Sequence, residues 1–269
     1  MTIVLRSVRS GADANYLFVH GLFGSSADWR DVIAHLSHER GALALDLPGH
    51  GGSEPLAPHL SSFDECVDYL AEELRSKVQK PVIGVGYSLG GRIVLGLWNR
   101  APELFSALCL VSTFPGFQEE RERELRAGTD REWIKKLQHV SADTFFSQWY
   151  DQPLFGRSEW SAELQARILQ SRVELHIPNL SGIFAATSVA SMPSFWHELA
   201  EAPMPVQYVA GSRDEKYLQI ARQVAERNPA IAVSVIEGAG HLIPLERPAE
   251  LARALDEFAG QLAPSSSRA

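Results

Sequence analysis

Residues 86–90 read Gly-Tyr-Ser-Leu-Gly, after the apolar run Val82-Ile83-Gly84-Val85 and before an apolar helical pattern that extends to Trp98. Glycines flanking a serine let neighbouring backbone pass close to a strained strand-to-helix turn. The turn lifts the serine oxygen above a sheet, at the positive end of a helix. It constrains the surrounding fold, because it needs a buried strand entering it and a helix leaving it. One residue breaks the apolar run of that helix: Arg92, one turn after Ser88 and on about the same helix face. A buried cation is expensive without an anion to answer it, so Arg92 points to an anionic ligand close to Ser88.

The rest of the chain has a matching rhythm. Short apolar runs at Tyr16 to Val19, Ala42 to Leu45, Pro81 to Val85 and Ala107 to Ser112 alternate with helical patterns near 27–37, 62–78 and 89–100. That is the order of a parallel sheet with crossover helices. The runs are nearly continuous in Val, Leu and Ile, as expected of strands covered on both faces. From 115 to 202 the pattern turns helical and charged, dense in Arg and Glu between Glu119 and Arg126, with Trp and Phe interleaved. This predicts a helical lid inserted between a first core part, 1–114, and a second, 203–262. The second part carries strands at Val206 to Ala210 and Ala232 to Ile236 and a closing helix near 248–262. The tail 263–269, Ala-Pro-Ser-Ser-Ser-Arg-Ala, is expected to be disordered. The expected class is α/β: a mostly parallel sheet, helices on both faces, and a helical lid.

A chain of 269 residues with 45% hydrophobic residues can bury such a core. Its formal charge of -8 excludes a generic nucleic-acid or anionic-membrane surface, so any anion site must be local. The two cysteines, Cys66 and Cys109, allow neither a disulfide framework nor a cysteine-rich zinc site. The opening MTIVLRSVRSG lacks a signal-peptide core, and no window approaches the roughly 20 apolar residues of a membrane helix. A soluble, cytoplasmic protein without membrane insertion is expected; its oligomeric state is not readable from this pattern.

A lone serine is a weak nucleophile or base, and needs a histidine and an orienting carboxylate. Asp214 follows the strand ending at Ala210, in Ala210-Gly211-Ser212-Arg213-Asp214. His241 follows the strand ending at Ile236, in Gly238-Ala239-Gly240-His241. Both are loop positions at strand C-termini, where open α/β sheets place reactive groups. Glu237 is a second candidate for the carboxylate, and His20 and His50, which precede the serine, are candidates for the border of the site. The strand Tyr16 to Val19 runs into His20-Gly21-Leu22-Phe23-Gly24, nominating the N–H of Leu22, with that of Leu89 after the serine, as donors to a developing oxyanion. The loop Asp46-Leu47-Pro48-Gly49-His50-Gly51-Gly52-Ser53 lacks the spacing and lysine of a phosphate loop and reads as a turn bordering the pocket. No metal-ligand spacing occurs, and no metal is expected.

Taken together, the His-Gly loop, Asp-Leu-Pro-Gly-His-Gly-Gly-Ser, Gly-Tyr-Ser-Leu-Gly-Gly, the helical lid and the order Ser88, Asp214, His241 resemble the α/β-hydrolase family over essentially the whole chain. That fold hosts many reactions. Serine at 88 argues against the epoxide hydrolase and haloalkane dehalogenase branches, which have aspartate there. A narrower resemblance is carried by GYSLGGR, FPGFQEERERELR with DREW beyond it, WYDQPLF from Trp149 to Phe155, ATS at 186–188, and AGSRDEKY at 210–217. These are similar to the 2-succinyl-6-hydroxy-2,4-cyclohexadiene-1-carboxylate synthases of menaquinone biosynthesis.

This resemblance implies a cofactor-free lyase that eliminates pyruvate from a small tricarboxylate, 2-succinyl-5-enolpyruvyl-6-hydroxy-3-cyclohexene-1-carboxylate. It implies that Arg92, Arg126 and Arg172 bind carboxylates, for which a planar guanidinium is suited, and that Tyr87 and Trp149 line the pocket. On residue pattern alone, Arg126 belongs equally to a solvated salt-bridged helix face, and Arg123 is its near neighbour. Trp149 suits lid core as well as pocket wall. The triad also suits a serine hydrolase acting on a small acidic ester or C–C diketone through an acyl-enzyme.

Overall fold

The computed structural model describes residues 1–9, 14–37, 40–173 and 175–262, so the tail expected to be disordered lies outside the described residues. Among them seven strands form one sheet: β1 (Val4–Arg9), β2 (Ala14–Val19), β3 (Gly41–Asp46), β4 (Val82–Tyr87), β5 (Phe105–Val111), β6 (Val206–Gly211) and β7 (Ala232–Ile236), in the order β1-β3-β2-β4-β5-β6-β7. All pairs are parallel except β1 with β3. The chain steps from β2 outward to β3, then returns to the other side of β2 as β4. Loops leaving β2 and β4 therefore diverge, and the crevice between them is where open sheets bind ligands. The His-Gly loop follows β2 and the serine turn follows β4.

Strand β1 was not expected from the sequence. Val-Leu-Arg-Ser-Val-Arg mixes apolar and polar residues without a regular period and pairs only with β3 at the sheet edge, so it lacks the continuous apolar run of a doubly covered strand. Edge strand β7 alternates in exposure, leaving Val233 40% and Val235 50% exposed, whereas β4 and β6 are buried along their whole length.

Helices α1 (Arg30–His35), α2 (Phe63–Lys77) and α3 (Leu89–Arg100) connect the first strands. Between β5 and β6 the chain forms α4 (Glu120–His139), α5 (Ala142–Tyr150), α6 (Ala162–Val173), α7 (Leu180–Ala186) and α8 (Trp196–Ala200), with no strand among the described residues. Helices α9 (Glu215–Arg227), α10 (Ile243–Glu246) and α11 (Pro248–Leu262) complete the chain. Alternate residues of β2 feed two cores: Leu17 and Val19 pack with Phe63, Leu70, Ile93 and Ile220, while Tyr16 and Phe18 pack with Val32, Ile33, Leu251 and Leu255. Helix α2 shows why such segments fold as they do. Ser62 and Glu65 form a reciprocal capping box, and Phe63, Cys66, Val67, Leu70, Ala71 and Leu74 make one buried stripe. No helix among the described residues is long and apolar enough to cross a membrane.

The crossing of β4 and α3 leaves no room for side chains. A Cβ at Gly86 would lie 2.4 Å from Gly91 Cα, and one at Gly90 2.0 Å from the Val19 carbonyl oxygen. Gly90→Ala should therefore lower the unfolding free energy in urea by about 3 kcal/mol or more, since backbone, not a flexible side chain, must move. Gly182→Ala is the control: its Cβ on an exposed face of α7 would meet Leu56 Cβ at 3.9 Å, and it should be neutral or stabilise by up to about 1 kcal/mol.

Candidate active site

Ser88 takes φ 52° and ψ -109°, a conformation that side chains rarely adopt, and its N–H donates to Val111 O at 2.9 Å. The turn directs its hydroxyl toward His241, whose Nε2 lies 3.3 Å from Ser88 Oγ. His241 Nδ1 lies 2.7 Å from Asp214 Oδ2, and both residues are buried. With the proton on Nδ1 donated to the carboxylate, Nε2 is left as an acceptor facing the hydroxyl. Asp214 also caps α9, its Oδ1 accepting from Tyr217 N at 3.4 Å. The rival Glu237 is exposed and accepts from Ser212 Oγ at 3.1 Å, away from His241. Glu246 holds the histidine loop by accepting from Gly240 N at 2.8 Å and Leu242 N at 3.0 Å.

Leu89 is the first residue of α3, so its N–H has no acceptor within the helix. Across the crevice, Phe23 N donates to His50 Nε2 at 3.1 Å and Gly24 N to Gly21 O at 3.0 Å. Among the described residues the N–H of Leu22, just before Phe23, makes no protein hydrogen bond, and Leu22 lines the same cleft as Ser88. His20 and His50 do not line that cleft. His20 donates from Nδ1 to Gly21 O at 2.7 Å and accepts at Nε2 from Leu47 N at 3.0 Å. His50 donates from Nδ1 to Pro48 O at 2.9 Å. The two imidazoles thus staple the His-Gly loop to the Asp46–Ser53 loop. That second loop is a support behind the site, which corrects its reading as a border of the pocket: none of its residues lines the cleft.

The cleft opens to solvent and holds about 100 Å³ of free volume. Tyr87, Trp149, Phe155 and Phe184 give it aromatic walls, and Arg92, Arg126 and Lys216 line it with charge. Arg92 is buried; its Nη1 donates to the Thr187 carbonyl, and among the described residues it pairs with no carboxylate. Burial, then the charge of Arg126, holds its pKa down to about 10. Arg126 Nε donates to Asp130 Oδ1 at 2.7 Å, and Ser188 Oγ donates to the other oxygen of that buried carboxylate. Arg123 instead donates to the carbonyls of Ala190 at 3.0 Å, Met192 at 2.7 Å and Phe117 at 3.2 Å, so Arg126, not Arg123, faces the cleft.

The structure corrects the expectation for Arg172. It does not line the cleft. Its guanidinium grips Asp28 in a bidentate pair at 2.9 and 2.7 Å, and its Nε donates to Tyr150 Oη at 3.1 Å. Burial opposes its charge, but Asp28 and Tyr150 outweigh burial and raise its pKa. The resemblance implied a guanidinium bound to a carboxylate, without revealing that Asp28 supplies one. Sequence reasoning also missed Phe155, Phe184 and Lys216, which the fold brings to the cleft from three separate segments. Lys216 stood in the AGSRDEKY segment, two residues beyond Asp214. The described residues contain no group of three or more His, Cys, Asp or Glu that could hold a metal ion.

The same fold occurs among known proteins. The model of the alpha/beta hydrolase family matches residues 16–254. The chain is 35% identical over 247 residues to the 2-succinyl-6-hydroxy-2,4-cyclohexadiene-1-carboxylate synthase of Enterobacter sp. (strain 638), covering 90% of each chain. It is 30% identical to the enzyme of the same name from Salmonella paratyphi A, covering 90% of this chain and 92% of that one. Among solved structures, MenH from S. aureus superposes with a TM-score of 0.89 at 27% identity, covering 97% of this chain and 98% of that one.

The stapling histidines yield a stability prediction. Burial is the main cause lowering the pKa of His20 to about 4 and of His50 to about 3, against 6.5 for an exposed imidazole. Between those values the unfolded chain binds more protons than the folded one. Their contribution is therefore full above about pH 6.5 and is lost as pH falls toward 4, with a slope of up to about 2.7 kcal/mol per pH unit for the pair. Urea unfolding across this window should show the slope, and His50→Gln should remove about half of it; an unchanged slope would contradict the assignment.

Proposed function

The chain belongs to the α/β-hydrolase family, among the 2-succinyl-6-hydroxy-2,4-cyclohexadiene-1-carboxylate synthases, and from that premise we propose how its own residues carry the reaction. The enzyme is a carbon–oxygen lyase: it eliminates pyruvate from 2-succinyl-5-enolpyruvyl-6-hydroxy-3-cyclohexene-1-carboxylate and leaves the conjugated diene. The observation that carries this reading is a Ser-His-Asp array sharing one cleft with Arg92, which pairs with no carboxylate among the described residues.

In the proposed mechanism Asp214 holds His241 in the tautomer that accepts at Nε2. His241 takes the Ser88 proton as Ser88 Oγ removes hydrogen from ring C2, alpha to the succinyl carbonyl. The C2–H electrons form the C2=C3 double bond through an enolate, the C3=C4 pair moves to C4=C5, and the C5–O bond breaks. Enolpyruvate leaves and, taking up a proton, becomes pyruvate; no oxidant or metal is consumed. The N–H groups of Leu22 and Leu89 stabilise the enolate oxygen. Arg92 and Arg126 hold substrate carboxylates so that C2–H faces the serine, with Tyr87 and Trp149 packing against the ring. The helical segment 115–202 acts as the lid over this site, between core parts 1–114 and 203–262.

This reading differs from ester hydrolysis on the same triad in the role of Ser88, which is base and not nucleophile. Purified protein supplied with the enolpyruvyl tricarboxylate should release pyruvate and gain diene absorbance in equal amounts. Ser88→Ala should lower both by about 10³-fold, in the range for loss of a positioned general base. Near-normal release by that variant, or ester turnover with neither product, would contradict the assignment.

A further inference from the structure

We infer that Lys216 is a carboxylate-binding residue of this cleft, in the role that the resemblance implied for Arg172; this rests on the lyase reading above. A tricarboxylate presents three anionic groups, and Arg172 is already committed to Asp28. Among the described residues that leaves Arg92, Arg126 and Lys216 as the Arg and Lys side chains that line the cleft.

Three observations single out Lys216. It shares the cleft wall with Ser88 and His241, and among the described residues it pairs with no carboxylate. Its ammonium is held 5.4 Å from the ring centroids of both Phe114 and Tyr217, which orients it without neutralising it. Its site is also electrostatically unfavourable for a cation. Lys216 lies in the first turn of α9, where the helix dipole repels positive charge. The residue as a whole is exposed, yet the protein crowding its ammonium, followed by the charge of Arg126, lowers its pKa; Asp214 opposes this and Arg92 adds to it. Asp214 is engaged by His241 and so offers only partial relief. An incoming carboxylate answers all of these costs at once. Phe114 and Lys216 also line an adjoining surface groove, so the ammonium stands where ligand can reach it from solvent.

The test is calorimetric titration of the enolpyruvyl tricarboxylate into Ser88→Ala protein, which does not consume it. Adding Lys216→Met should raise Kd by about 10- to 100-fold, as expected for loss of one charge-assisted contact. Adding Lys216→Arg should restore binding to within about threefold of the parent, because a guanidinium answers the same anion. In the Ser88 background, Lys216→Met should raise KM with kcat little changed, a split that general loosening of α9 would not produce. If Ser88→Ala protein binds the tricarboxylate and Lys216→Met leaves Kd within twofold, the Lys216 assignment is overturned while the lyase reading stands. If Lys216→Arg fails to restore binding in a folded protein, the assignment is likewise overturned. If Ser88→Ala protein itself binds no tricarboxylate, the substrate reading falls and takes the Lys216 assignment with it.

Discussion

A non-glycine residue held at positive φ costs about 1–3 kcal/mol, and the chain meets this cost at Ser88. The surrounding structure over-determines the turn. Ser88 N–H is anchored on β5, β4 enters fully buried, and α3 leaves immediately, packed so closely that Gly86, Gly90 and Gly91 have no space for a Cβ. The result is a hydroxyl presented at the positive end of a helix, above the sheet and beside the crevice where the strand order reverses. His241 and Asp214 reach it from loops after β7 and β6, so that parallel strand order converts distant sequence into a 3.3 Å contact.

The second organising element is the tie between the helical insertion and the loop opposite the serine. Phe23, itself at φ 63°, places its ring edge-on against Phe145, Phe146, Trp149 and Phe184 at 5.0 to 5.8 Å. Arg172 on α6 grips Asp28 just beyond that loop. The buried imidazoles of His20 and His50 hold it from behind. These contacts position backbone, and backbone N–H groups are what an oxyanion site requires. Charge is partitioned along the same lines: Arg172 is paired with Asp28, Arg126 with Asp130, and Arg92 and Lys216 form no ion pair among the described residues. A chain with formal charge -8 thereby keeps a local positive field in one cleft.

The parts legible in the sequence were those with local causes. The strand-turn-helix around Ser88, the continuous apolar runs of the inner strands and the carboxylate and histidine at strand ends all follow from short-range pattern, and Arg92 announced itself by interrupting an apolar helix. What escaped had non-local causes. Strand β1 exists through its pairing with β3 and has no distinctive pattern of its own. The partner of Arg172 is Asp28, 144 positions away, and residue type alone cannot distinguish a protein carboxylate from a ligand's. His20 and His50 looked like site residues because glycine-flanked loop histidines often are; their full burial and bonds to backbone on both nitrogens make them supports.

The central claim is that this strained turn supplies a base, with local cations choosing which C–H bond it meets. Intact-protein mass spectrometry, on samples quenched during steady turnover of the enolpyruvyl tricarboxylate, tests that claim most directly. Pyruvate should accumulate while the protein mass stays that of the free chain at every time point. A substrate-derived adduct on Ser88 that forms and decays at the rate of turnover would contradict it, and would make the serine a nucleophile.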